Sequence, residues 1–216
     1  MRHLGHPDRG EAGLAVTAHA HALTAVEICV EAGVDGIEHC SCMTPDGVRT
    51  PPGLAARLAA GGTLVCPTLG RTPGVDLPPQ MLAILESMGA TYDDHLAHVA
   101  ALHAAGVALL AGTDAGIGPG KRHGLVPVAV AELIACGVPP TIALAGATAF
   151  AARACGLDGR TGRLAEGLDA DLLLVDGDPL TDPGSLLRPR RIVSRGRELP
   201  GPAGTPGRAD AGQTGR

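Results

Sequence analysis

The sequence predicts an α/β fold, and three observations carry that prediction. Short apolar runs, patterned like strands covered on both faces, alternate with segments of helical spacing. Glycines close those helical segments, at Gly33, Gly62 and Gly137 among others. The chain has 216 residues, enough for one good-sized domain or one domain with a small appendage.

Residues 14–19 (LAVTAH) read as the first buried strand. In the following LTAVEICVEAG, Leu23, Val26 and Val30 fall at helical spacing, Thr24 is the expected cap and Gly33 the stop. VDGIEH is then a second strand, which makes a βαβ unit with parallel neighbours and a right-handed crossover. The rhythm repeats with a helix at 52–62, a strand at 63–69, helices near 79–89 and 91–105, and a strand at 106–114. Helical patterns follow at 125–137 and 140–156. A doubly wound sheet and a (β/α) barrel both fit this order. From Leu157 the character changes: a strand at Leu172–Val175 and a shorter one in RRIVSRGREL indicate a small β element, and 200–216 reads as a disordered tail.

Composition narrows the function classes. A net charge of −5 with scattered basic residues gives no electrostatic case for nucleic acid. No run reaches the length of a membrane span, and the polar start lacks an apolar export core, so no membrane role is expected. The six cysteines lie mostly inside apolar runs, the pattern of reduced thiols in a cytoplasmic protein. Tyr92 and Phe150 are the only aromatic residues of the Phe, Tyr and Trp class, so Ala, Val and Leu must build the core.

His19, His39 and Asp114 each end a predicted strand. In a parallel α/β fold the carboxyl ends of neighbouring strands converge on one face, where active sites form. A lone histidine at such a place is ordinarily a satisfied polar residue. Imidazole and carboxylate at three equivalent places form the donor set that a divalent cation accepts, with zinc foremost.

These residues also carry a family resemblance. VTAHAHALTAVEICVEAGVDGIEHC resembles strands five and six of the metal-dependent amidohydrolase superfamily, in its imidazolonepropionase-like and prolidase-like branch. GVALLAGTDAGIGPGKRHG resembles the eighth strand, and the segment from Gly137 to Leu180 resembles the closing part, where a strand of the flanking β-sandwich follows the last helices. The resemblance implies a partial (β/α) TIM-type barrel over 1–156, a sandwich segment over 157–199 and a tail over 200–216. It implies His19, His39 and Asp114 as metal ligands, Asp114 also as proton shuttle, and His123 and His21 as residues facing the substrate. The implied activity is hydrolysis of a carbon–nitrogen bond in a small amide, cyclic amide or dipeptide-like substrate.

The family's opening H-x-H strand and its strand-four lysine have no counterpart. His3 and His6 are spaced H-L-G-H without an apolar run, and the sole lysine, Lys121, follows the eighth strand. At most one metal ion is therefore expected, and a half barrel would leave edges for a second copy or a partner chain to cover. A truncated, non-catalytic fragment that self-associates, and a stand-alone metal-binding module, remain alternative readings.

Four further motifs read more plainly. Cys40-Ser41-Cys42 is expected as a loop with two small thiols rather than a soft-metal or redox pair. The glycines of 116–120 suggest a mobile loop rather than a phosphate cradle. His95, His98 and His103 read as a solvated or partner-facing helix surface. Asp169, Asp171, Asp176 and Asp178 read as turn and edge residues without calcium spacing.

Overall fold

The computed structural model describes residues 13–72, 74–75 and 79–200. All but the first residue of the tail expected at 200–216, together with His3 and His6, lies outside the described residues.

The first βαβ unit consists of β1 (Thr17–Ala22), α1 (Leu23–Ala32) and β2 (Gly36–Thr44). β1 begins later than the apolar run suggests. Leu14 and Val16 are exposed, and the Val16 carbonyl instead accepts the N–H groups of Asp35 and Gly36 at 2.9 and 3.1 Å. Thr24 does not cap α1: Ala22 holds that place without a side-chain bond. Gly33 does end the helix, at φ 69°, a left-handed conformation that suits a residue without Cβ.

β2 is the hub of the larger sheet. It pairs in parallel with β1 on one side and with β4 (Leu64–Cys66) on the other. The short β3 (Gly47–Val48) folds back antiparallel onto its far end, and α2 (Pro52–Gly61) makes the crossover to β4. α3 (Pro79–Ser87) and α4 (Tyr92–Ala104) follow, with Thr91 and Asp94 forming a reciprocal capping box on α4.

The strand expected over 106–114 contributes only a parallel bridge between Leu109 and Val65. Ala108 accepts from the Val65 N–H at 2.9 Å, and Leu110 donates to the Val65 carbonyl at 2.8 Å. Pro67 has no N–H to continue the ladder. The Ala111 N–H is already taken by the Gly146 carbonyl at 3.2 Å. Even so, β1, β2, β4 and 108–110 are spatial neighbours in chain order, all parallel. A doubly wound sheet would reverse its order; this one does not, and among the described residues it does not close into a barrel.

α5 (Val126–Ala135), α6 (Pro140–Ala147) and α7 (Ala149–Ala154) complete the α/β body. The continuous helix expected over 140–156 breaks at Thr148, with φ −131° and ψ −94°. A separate antiparallel sheet holds β5 (Leu172–Val175), β6 (Pro189–Ser194) and β7 (Arg197–Leu199). Its aspartates do what turn and edge residues do. Asp169 pairs with Arg160 at 3.0 Å, Asp176 pairs with Arg190 at 3.2 Å, and Asp171 accepts the Arg195 N–H at 2.8 Å. Asp178 accepts the Leu180 N–H at 2.9 Å.

The core is aliphatic, as the composition requires: Ile37, Leu58, Leu69, Leu102, Leu125 and Leu133 are among its fully buried side chains. On one face of the sheet, Gly36 and Glu38, Leu64 and Cys66, and Leu110 and Gly112, two apart along their segments, line an apolar trough of about 390 Å³ whose wall also includes Gly146 and Ala147 of α6 and Ala151 of α7.

The histidines of α4 overturn the expectation of a solvated helix surface. His98 is only 2% exposed, and His95 hydrogen-bonds the Pro67 carbonyl through Nε2 at 3.2 Å. One helical turn separates them, so one face of α4 carries both onto the ends of β2 and β4. Burial pulls the His95 imidazole down to about 4. An imidazole with a depressed native pKa gives stability that is present above its unfolded pKa and lost on acidification. Chemical denaturation of the metal-free chain should show stability falling between about pH 6.5 and pH 4, and His95→Asn should flatten that slope. An unchanged slope in the variant would show that His95 does not contribute.

Candidate metal centre

His19 and His21 are two residues apart on β1, so they share a face, while the intervening Ala20 turns into the core at 1% exposure. His21 therefore belongs to β1, which runs past the strand expected at 14–19. Ala20 lies opposite His39, and the next registered pair is Ala22 with Met43. One residue of β1 thus spans Cys40 to Cys42 of β2, a bulge that bends β2 where His39 stands.

The bend shows in the backbone. His39, Cys40 and Cys42 have φ of 67°, 49° and 49°, and Thr68 and Asp114, at the ends of the next two parallel segments, have 51° and 53°. Left-handed conformations at non-glycine residues cost on the order of 1–3 kcal/mol each. Thr68, being β-branched, is the most unusual of them. Strain at the carboxyl ends of three adjacent segments marks this rim as the place the fold distorts itself to build.

The result is a compact group of imidazoles. Ring centroids lie 4.4 Å apart for His19 and His39, 4.2 Å for His21 and His39, and 4.8 Å for His19 and His21. One nitrogen from each ring lies within 4.8 Å of the others. Two rings are oriented through Nδ1: His39 with Thr68 Oγ1 at 2.9 Å, and His21 with Ser41 Oγ at 3.0 Å. Burial, and then repulsion from His39 and His19, pulls His21 down to about 4. His39 is lowered as well, chiefly by burial. Neutral imidazole is the form that ligates a metal, and three such donors with a carboxylate nearby fit a divalent cation of borderline softness.

Asp114 stands outside the close group. Its carboxylate is still near enough to favour the protonated forms of His21, His39 and Lys121. His123 is exposed, its ring against Gly116, where a Cβ would come within 3.2 Å of Nε2. The glycine loop is closed by its own backbone, Gly116 N–H to the Lys121 carbonyl at 2.6 Å.

Sequence reasoning passed over a second layer. Lys121 Nζ donates to the Thr68 and Leu69 carbonyls, the latter at 3.1 Å, and burial lowers its pKa. Glu132 accepts the Gly70 N–H at 2.6 Å and the Tyr92 hydroxyl at 3.0 Å, and the Arg71 guanidinium lies 4.5 Å from the Tyr92 ring centre. The only signals for this layer were the uniqueness of Lys121 and Thr68 near the end of the 63–69 run.

Comparison with known proteins identifies the family of the chain. The family model described as "Amidohydrolase family" matches residues 10–198. An uncharacterized protein of Mycobacterium tuberculosis is 34% identical over 189 residues, which cover 86% of this chain and 48% of that protein. Imidazolonepropionase of Rubrobacter xylanophilus is 30% identical over 167 residues, covering 76% of this chain and 34% of the enzyme. Among solved structures, a prolidase complexed with N-methylphosphonate-L-proline is similar at a TM-score of 0.67 and 25% identity, covering 87% of this chain and 45% of that one. The chain spans about half the length of the first curated relatives it matches. It belongs to the amidohydrolase family.

Proposed function

We propose that this chain is the metal-binding half of a (β/α)-barrel hydrolase, its parallel segments being the fifth to eighth strands, and that it acts on a carbon–nitrogen amide bond of a small substrate. The observation that carries this reading is the convergence of His19, His21 and His39 at the ends of adjacent parallel strands, with Asp114 in electrostatic reach. Residues 1–156 would be the barrel part and 157–199 a segment of the flanking sandwich. Cysteines that are all free suit a cytoplasmic setting, and among the described residues no helix is long and apolar enough to cross a membrane.

His19 and His39 would hold a divalent cation, zinc foremost, with Asp114 as the third ligand. Such a cation, when bound, supplies Lewis acidity toward an amide carbonyl. The protein's own groups do the rest. Thr68 and Ser41 hold the His39 and His21 rings in place through Nδ1. Asp114 takes the proton of the attacking water and returns it to the leaving nitrogen. His21 and His123 face the substrate, an amide, cyclic amide or dipeptide-like molecule.

The trough favours a second element of the reading. An apolar trough of about 390 Å³, walled in part by α6 and α7, beside a β1 edge that has no second strand among the described residues, calls for a second copy or a partner chain. A non-catalytic, self-associating fragment would share that feature, and metal content and turnover separate the two.

Three outcomes follow. Mass spectrometry of the dialysed protein should find about one divalent ion per chain, lost in the His19→Ala/His39→Ala double variant. A metal-free wild type, or a variant that keeps its ion, would overturn the ligand assignment. Asp114→Asn should lower amide hydrolysis by about a hundredfold or more with little change in circular dichroism. Turnover near that of the wild type would remove the shuttle role. In sedimentation velocity the purified chain should run as a dimer or larger, and a stable monomer would refute the covered trough.

A further inference from the structure

A second cluster of ligand-type side chains lies within the core behind the imidazoles. Cys40 and Cys42 of β2 and His98 of α4 are 0%, 1% and 2% exposed. Their sulfurs and one imidazole nitrogen all lie within 4.8 Å of one another. The sequence suggested a loop with two small thiols; the thiols are instead in a strand, buried, and matched by a histidine from 56 residues further along the chain, counting Cys42 to His98.

Two features distinguish this group from ordinary core filling. The first is backbone geometry. In a regular strand, residues two apart rise nearly 7 Å, roughly twice 3.3 Å, which holds their side chains apart. Cys40 and Cys42 both adopt φ of 49°, so the bulge that aims His39 also draws the two sulfurs together. The second is the state of the imidazole. His98 Nε2 lies 2.7 Å from the Cys40 carbonyl, an acceptor only, so Nε2 carries the proton and donates it. Nδ1, 2.6 Å from Thr50 Oγ1, is then the acceptor and presents a lone pair. A ring held at both nitrogens, one of them by a backbone carbonyl, is fixed in orientation as metal-ligating histidines are.

We propose that Cys40, Cys42 and His98 form a buried three-coordinate site for a thiophilic monovalent cation, Cu(I), separate from the imidazole group at the rim. Two sulfurs and one imidazole are a soft donor set. Zinc in a structural site takes four protein ligands, and this buried group supplies three. Binding involves no change of oxidation state. Each thiol that ligates loses its proton to solvent, and the ligating imidazole nitrogen exchanges its present hydrogen bond for the ion. The site does not rest on the hydrolase reading, because no ligand of one group belongs to the other.

The test uses the full chain, reduced and free of oxygen, carrying His19→Ala/His39→Ala so that the rim cannot compete. Cu(I) is added against a chromogenic Cu(I) chelator, and the bound ion is examined by X-ray absorption. The expected result is stoichiometric uptake with two sulfur scatterers and one nitrogen scatterer, and no comparable retention of zinc. Cys40→Ser/Cys42→Ser should abolish uptake, and His98→Gln should weaken it at least tenfold while leaving the sulfur signal. Should the double serine variant fail to fold by circular dichroism, Cys40→Ala and Cys42→Ala singly should each halve the sulfur scattering. Uptake unchanged in the cysteine variants, scattering from nitrogen and oxygen alone, a preference for zinc, or a Cys40–Cys42 disulfide in place of uptake would each overturn the proposal.

Discussion

The parallel pairing of β2 with β1 is the constraint on which the rest of the arrangement depends. Up to Ala20 and His39 the register is regular, and it then jumps so that Ala22 meets Met43. The extra residues of β2 have to go somewhere, and they bulge. That bulge turns His39 toward His19 and His21 while it folds Cys40 and Cys42 the other way into the core. A regular ladder would have placed His39 and Cys40 on opposite faces too, but without gathering either group so tightly.

Holding a strained rim requires rigid neighbours, and the helices provide them. α4 reaches under the sheet with His98 bonded to the Cys40 carbonyl and His95 to the Pro67 carbonyl, so two consecutive strand ends hang from one helix. α5 sends Glu132 to the Gly70 N–H, and the sole lysine ties down the Thr68 and Leu69 carbonyls from the glycine loop. The carbonyl and amide groups freed where each strand leaves the ladder are thus met by side chains rather than water, which satisfies a demand that buried backbone cannot evade. This is how a fold with so few aromatic residues keeps its functional end ordered.

Much of this was legible in the sequence, and the boundary of legibility is physical. The alternation of apolar runs and helical spacing located β1, α1, β2, α2 and α4, because periodicity reports burial directly. His19 and His39 could be singled out because they close such runs. The 106–114 run looked like a strand by the same rule, yet a proline in its neighbour and the Gly146 carbonyl claimed the bonds it needed. Hydrophobicity records which segments are buried; it does not record who their backbone partners are. The same blindness hid Thr68, Lys121, His95 and His98, whose roles arise from contacts between residues 28 to 58 apart and from left-handed backbone that no composition betrays. It also ended the first strand at His19, short of His21, since the apolar run does not show where pairing with β2 stops.

Tyr92 gives the arrangement an unplanned optical property. It is the chain's one tyrosine, and there is no tryptophan. Its hydroxyl donates to Glu132, its ring faces Arg71, and its helix goes on to place His95 against the end of β4. Ultraviolet emission from the whole chain therefore comes from a single phenol, sitting where α4, α5 and the strand rim meet. A carboxylate hydrogen-bonded to a phenol dims its emission, so loosening of that junction brightens the molecule.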